Sequence, residues 1–305
     1  MQSSQMLTLI PFLLGLRVNV PPFNRNLEYS YNVRKTITVF RDPLQTTIYT
    51  ASVTCQIEKS EEGENDEGED DSLLCLLHDI NILSTLTFQT LNTTNEVTNE
   101  EYNTNDDWFI IKFNSIGLEK LFVNSTTEKK DLIKEIAFQF HIGGEIIPKF
   151  TSNEKLAVGH CMTLFNINST THEFREEETD KILENQIILL SHKASYEKTP
   201  VYEGYERHVH LFIEKIRKDC KYSLPFFDFL NGMQVKKYIH TMEILDDELN
   251  ISTTMEVQLP PDPWNPKGTP VFRETTHLGL ANITSKTKVF DPLTREKYKW
   301  INLME

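Results

Sequence analysis

One helix set among strands is the feature that most constrains this chain. Across Lys130 to Ile142, Leu132, Ile133, Ile136, Ala137 and Phe140 recur on one face at helical spacing, and Phe138 falls off that face. The segment is therefore apolar over more than half its surface, and a helix of that kind must be enclosed rather than laid on a surface. Ser125-Thr126-Thr127 offers caps ahead of it, Gly143-Gly144 ends it, and Pro148 prevents it from resuming.

The remainder supplies about a dozen strand candidates. Leu27 to Phe40 alternates loosely and breaks at Arg41-Asp42-Pro43. Thr47 to Lys59 alternates cleanly, with Tyr49, Ala51, Val53, Cys55 and Ile57 on one face, and Ser72 to Leu83 follows it. The acidic run Glu61 to Asp71 separates the two. It lacks the order of a calcium-binding loop and reads as a solvated hairpin tip. Leu91 to Asp107 reads as loop. Trp108 to Phe113 and Leu118 to Val123 form a hairpin before the helix. Val158 to Ile167 and His208 to Ile216 are rich in β-branched and aromatic residues, and a long polar excursion lies between them. Asp219 to Phe229 reads as a turn-like connection. Gln234 to Ile244 pairs with Leu249 to Leu259 around Asp246-Asp247, and Val271 to Phe290 comes last. The fold class this predicts is mainly β: an antiparallel barrel wrapped around the central helix, with long polar loops. Closure would remove sheet edges and give the helix its enclosure.

Four cysteines, Cys55, Cys75, Cys161 and Cys220, allow three pairings, and spacing alone does not choose among them. The first hairpin would bring Cys55 near Cys75, and two buried free thiols fit that position equally well. N-x-S/T occurs at Asn92, Asn124, Asn168, Asn250 and Asn282, mostly in segments that read as turns, which favours a secreted glycoprotein. Met6 to Leu16 has the length of a signal h-region, so residues 1–20 are read as a signal peptide and 21–305 as the domain. A buried strand is the alternative for that run. No run is long enough to span a bilayer. The net charge of −14 argues against a general nucleic-acid binder.

Signals for chemistry are few. No nucleophile elbow, P-loop or dinucleotide fingerprint is present. His160 precedes Cys161, but neighbouring strand residues point to opposite faces, so no catalytic pair is expected. His208 and His210 share a strand face at a spacing that can hold zinc, yet no further ligands accompany them. The chain is therefore expected to be non-enzymatic, with no cofactor and no metal site. Phe226, Phe227 and Phe229 are expected to plug the barrel mouth or core, and Trp264 sits on a proline-rich loop expected to be exposed.

The order of these pieces resembles one family. Gly159-His160-Cys161-x-Thr163-x-Phe165-x-Ile167 is similar to the G-x-C-x-T-x-Y-x-V strand of large lipid transfer proteins, which include vitellogenins, the microsomal triglyceride transfer protein, apolipoprotein B and apolipophorins. Ile213 to Cys220 resembles the partner strand, which ends in an Asp-Cys step. Leu27-Glu28-Tyr29-Ser30-Tyr31 resembles the family's opening strand. Thr50 to Ile57 with Leu73 to Leu77 resembles its next hairpin, Phe109 to Val123 the strand pair before its helix, and Asp131 to Phe140 the helix that fills its barrel. The likeness runs from about Leu27 to Lys288, and both the vitellogenin and the triglyceride-transfer branches fit.

The resemblance implies a disulfide between Cys161 and Cys220, with Asn168 to Tyr205 as an insertion between the bridged strands. It also implies an N-terminal barrel domain of a lipid-transport or yolk-storage protein. Such a domain would dock to a cell-surface receptor or partner, with lipid or lipoprotein as cargo. The helical solenoid and lipid cavity of the family are expected to be absent from this chain. The alternative is a stand-alone secreted binding module, immune or carrier, on the same barrel.

Overall fold

A computed structural model describes residues 27–58, 72–88, 93–101, 107–114, 117–124, 128–142, 149–156, 158–172, 208–245, 248–285 and 298–301. The first strands are β1 (Leu27–Val39), β2 (Leu44–Glu58), β3 (Ser72–Phe88), β4 (Thr93–Glu101), β5 (Asp107–Asn114) and β6 (Gly117–Asn124). Helix α1 (Lys130–Gln139) leads to β7 (Lys149–Leu156), β8 (Gly159–His172) and β9 (His208–Tyr222). A short helix, α2 (Leu224–Leu230), precedes β10 (Gln234–Leu245), β11 (Glu248–Gln258), β12 (Pro270–Ser285) and β13 (Tyr298–Ile301).

All thirteen strands belong to one sheet, in the order β13-β6-β5-β3-β2-β1-β12-β11-β10-β9-β8-β7, with β4 added to β3. Every described pairing is antiparallel. The path has two ends, so the closed barrel expected from the sequence is corrected to an open sheet. Both ends carry features that discourage further pairing. β13 is four residues long, and β7 sets Lys149, Thr151, Asn153 and Lys155 toward solvent.

The inner face changes character along the strands. Tyr29, Tyr31 and Val33 of β1, Ala51 and Val53 of β2, Leu73 and Leu77 of β3, Phe109 and Ile111 of β5 and Leu121 of β6 form one apolar core. Ile133, Ile136, Ala137 and Phe140 close it from the helix, and Phe140 meets Tyr31 edge-on at 5.4 Å. The helix makes polar contacts with widely separated strands. Glu135 pairs with Lys35 of β1 at 2.6 Å. Gln139 accepts from Thr253 of β11 at 2.8 Å. His141, just past the helix, accepts from the Leu118 amide of β6 at 3.1 Å. Lys129, just before it, pairs with Asp107 of β5 at 2.9 Å.

Several boundaries differ from expectation. α1 stops at Gln139, three residues early, because its last turn tightens: the His141 amide donates to the Phe138 carbonyl at 3.2 Å. Lys129 is its N-cap and provides no side-chain hydrogen bond, while Ser125 to Thr127, Gly143-Gly144 and Pro148 lie outside the described residues. The expected loop Leu91 to Asp107 contains β4, which pairs with the half of β3 that extends past β5. β7 is a strand that sequence alone did not indicate. β9 continues to Tyr222, and the expected turn beyond it holds α2, with Pro225 in its first turn. Met6 to Leu16, Glu61 to Asp71, Asn92, Asp246-Asp247 and most of the polar excursion also lie outside the described residues.

Candidate functional site: an inverted sheet end

The cysteines are joined in two pairs, Cys55 to Cys75 and Cys161 to Cys220. The first pair sits directly opposite across β2 and β3. The second sits at a β-bulge. His160 pairs with Lys221 and Met162 with Lys218, so Asp219 and Cys220 together face Cys161. Asp219 takes φ 48°, a left-handed conformation that Asp tolerates better than most residues. That is the physical content of the Asp-Cys step. Gly159 is equally constrained: at φ 137° a Cβ would lie 2.2 Å from the Lys221 carbonyl oxygen. His160 is exposed while Cys161 is buried in its bridge, so the two do not form a nucleophile and base.

Beside this bridge the inner face is charged. Glu154 of β7 accepts from Lys215 at 2.9 Å, from Arg217 at 3.0 Å and from Thr163 at 2.8 Å. Lys215 is fully buried and also donates to the His141 carbonyl at 2.6 Å, satisfying a carbonyl at the helix end. Its ammonium lies 5.6 Å from the Phe165 ring, and the Arg217 guanidinium lies 4.5 Å from the Tyr238 ring. Two cations against one carboxylate leave an excess of buried positive charge, which these ring faces partly offset. Behind them His240 shares a hydrogen bond with Thr253 at 2.9 Å.

Electrostatics follow from this enclosure. Burial alone would raise the Glu154 carboxyl, but Lys215 and Arg217 hold it far below the usual carboxylate range. Burial pulls Lys215 down to about 8 against the pull of Glu154, so it remains charged at neutral pH. Burial, then the charge of Lys215, lowers His141 to about 3, and His240 is driven well below its ordinary value by the same two causes. Both histidines are neutral at pH 7. Glu154 meets three donors and is almost wholly shut off from solvent, so it is placed for structure rather than for proton transfer.

Outside, at the same end of the strands, apolar groups face water. Leu224 is 78% exposed, Phe227 63% and Trp264 95%. Phe229 and Leu259 are also exposed, which corrects the expected burial of the phenylalanine cluster; Phe226 is half-buried. Among the described residues, α2 makes ring contacts through Phe226, which rests on Tyr222, and Phe229, which rests on Phe226 and Phe272. Trp264 is held out by a built loop. Asp262 Oδ1 accepts from the Trp264 and Asn265 amides at 2.8 and 2.7 Å, and Asn265 reaches Thr269 at 2.9 Å. A cavity of about 10 Å³ lies nearby, lined by Phe40, Lys236, Phe272 and Arg273 among others. It has room for a water at most.

The other sequence-marked residues are dispersed. Asn168, Asn250 and Asn282 are exposed, and all three lie within strands rather than turns. Asn124 closes β6. His208 and His210 fall in β9, and their side chains lie outside the described residues. Among the described residues no group of three or more His, Cys, Asp or Glu side chains converges as a metal site would, and no helix is long and apolar enough to cross a membrane.

The fold has a counterpart among solved structures. A lipovitellin structure describing lipid–protein interactions matches 87% of this chain at a TM-score of 0.50 and 9% identity. This chain spans 26% of that protein's length. No protein-family model matches the chain, and no curated protein does. The class defined is therefore one of architecture: a mainly antiparallel β domain with a lipovitellin-like fold.

Proposed function

We propose that this chain is a non-catalytic docking domain of a secreted lipid-transport protein, of the vitellogenin and lipid-transfer type. The observation that carries the reading is the fold likeness to lipovitellin over 87% of the chain. The contacts of α1 give it further support. β6 and β9 are eight steps apart in the strand order, yet both touch the helix end through His141. A flat sheet would separate them by roughly 38 Å at about 4.8 Å per step, against a helix about 10 Å across. In our reading the sheet therefore curls around α1, as a domain built on an enclosed helix requires. The two disulfides and the outward-facing sequons fit an extracellular setting. The role assigned is docking to a lipoprotein or receptor, with lipid as cargo rather than substrate.

Native mass spectrometry of the secreted protein, before and after lipid extraction, tests this reading. Phospholipid that co-purifies and is removed by extraction is the expected result. A bare glycoprotein with no bound lipid overturns it and favours a stand-alone binding module.

A further inference from the structure

We infer that the exposed end formed by α2 and the Trp264 loop docks onto an anionic phospholipid surface. This deepens the lipid-transport reading and rests on it.

The chemistry of this end fits a water–lipid boundary. Leu224, Phe227 and Phe229 project from α2, and Leu259 and Trp264 project from the neighbouring connection between β11 and β12. Both connections sit at one end of adjacent strands, because Gln234 at the start of β10 pairs with Gln258 at the end of β11. An apolar cluster this exposed marks an interaction surface, and Trp and Phe are the side chains that favour the headgroup zone. The Trp264 loop is pre-formed. Beyond the Asp262 bonds, Gly268 takes φ 73° and donates its amide to the Asn265 carbonyl at 3.0 Å, and the Leu259 amide reaches the Thr269 carbonyl at 2.8 Å. The loop backbone is thus ordered before docking, which lowers the cost of presenting the tryptophan.

Charge selects the partner. The whole chain carries −14. Residues 218–237 hold four Lys and two Asp, and residues 256–273 hold one Lys, one Arg, one Asp and one Glu, so this end sums to six cations and four anions. Lys218, Lys221, Lys236, Lys237 and Lys267 are exposed. A locally cationic rim around aromatic side chains, on a protein that is strongly acidic elsewhere, complements an anionic lipid surface and favours approach through this end. An acidic protein with no such rim would be repelled at every approach.

Co-sedimentation of the secreted protein with phosphatidylcholine vesicles, with and without phosphatidylserine, reads this directly. Wild-type protein is expected to bind the anionic vesicles and to lose binding with salt. F227S with W264S should reduce binding at least tenfold. K236E with K237E should abolish the preference for phosphatidylserine. Unchanged melting temperatures show that both pairs remain folded, and the charge pair tests the same surface if the aromatic pair misfolds. Wild-type binding that neither pair of substitutions weakens overturns the docking site and leaves the lipid-transport reading standing. Wild-type protein that ignores anionic vesicles overturns the docking site, while lipid co-purification then decides the broader reading on its own. A concentration-dependent dimer that the aromatic substitutions abolish overturns it in favour of a second copy of this chain.

Discussion

The apolar core around α1, which takes in Ile213, Met242, Ile251 and Leu278 as well as β1–β6, and the disulfide end of the sheet obey opposite rules. Around α1 the arrangement is ordinary, with Tyr31, Phe109, Ile111 and Phe140 buried together. At the disulfide end of β7–β10 it is inverted: Glu154, Lys215 and Arg217 are inside, while Leu224, Phe227 and Trp264 are outside. The first region owes its stability to apolar burial. The second holds its strands in register through paired charges and gives up apolar surface to solvent. A protein breaks local rules where something other than stability is being met, and the two violations here sit on one end of one sheet.

The contrast predicts unequal responses to substitution. Glu154→Ala would leave Lys215 and Arg217 buried without a counter-charge and should cost about 3–5 kcal/mol, read by chemical denaturation. Replacing Glu154, Lys215 and Arg217 together by apolar residues of similar volume should be close to neutral, because it removes the desolvation cost along with the attraction. Glu135→Ala should cost about 1 kcal/mol, because Lys35, its partner, lies nearer solvent and keeps Glu274 as a second carboxylate. A large loss from the triple replacement would make the charged region more than a substitute for an apolar core.

The two bridges should differ also. Opening Cys161–Cys220, with a separation of 59 residues, should cost about 4 kcal/mol on a loop-entropy argument, and opening Cys55–Cys75, with a separation of 20, about 3 kcal/mol. Cysteine-to-serine pairs compared in urea would test the order.

Acid should act through the inverted region. Unfolded His141 takes a proton near its ordinary 6.5, and folded His141 only near 3, so the folded state binds fewer protons between those values. Stability therefore falls as pH drops through that window, by about 1.4 kcal/mol per unit for this group, and His240 adds to the slope. Glu154 contributes in the same sense: its stabilisation is present above its ordinary value of 4.5 and is lost as pH falls toward its depressed folded value. The urea midpoint measured from pH 7 to pH 4 should decline, and His141→Asn should flatten the decline.

Surface changes should be the smallest. Phe227→Ser and Trp264→Ser should move stability by no more than about 0.5 kcal/mol, since neither side chain is packed.

Sequence made the apolar region legible because period and burial agree there. The face of Tyr49, Ala51, Val53 and Cys55 and the face of Ile133, Ile136 and Phe140 are both read from spacing alone. The inverted region was harder for a physical reason. In β9, Leu211, Ile213, Lys215 and Arg217 share one face, while Phe212, Glu214 and Ile216 share the other; both mix apolar and charged groups, so alternation does not say which is inside. β7 reads Lys-Phe-Thr-Ser-Asn-Glu-Lys-Leu, and it becomes a strand through pairing with β8 and the partners of Glu154, neither of which is local. The phenylalanines of α2 misled because aromatic side chains are usually buried, and here exposure is the information.

Trp264 offers the most direct test of that inverted end, as one of three tryptophans in the chain. Its emission should shift to the blue when phosphatidylserine-containing vesicles are added, and brominated lipid should quench it. Trp264→Phe should remove both changes while the protein still binds. An emission spectrum that vesicles leave unaltered, or a shift that persists in Trp264→Phe, would contradict the account.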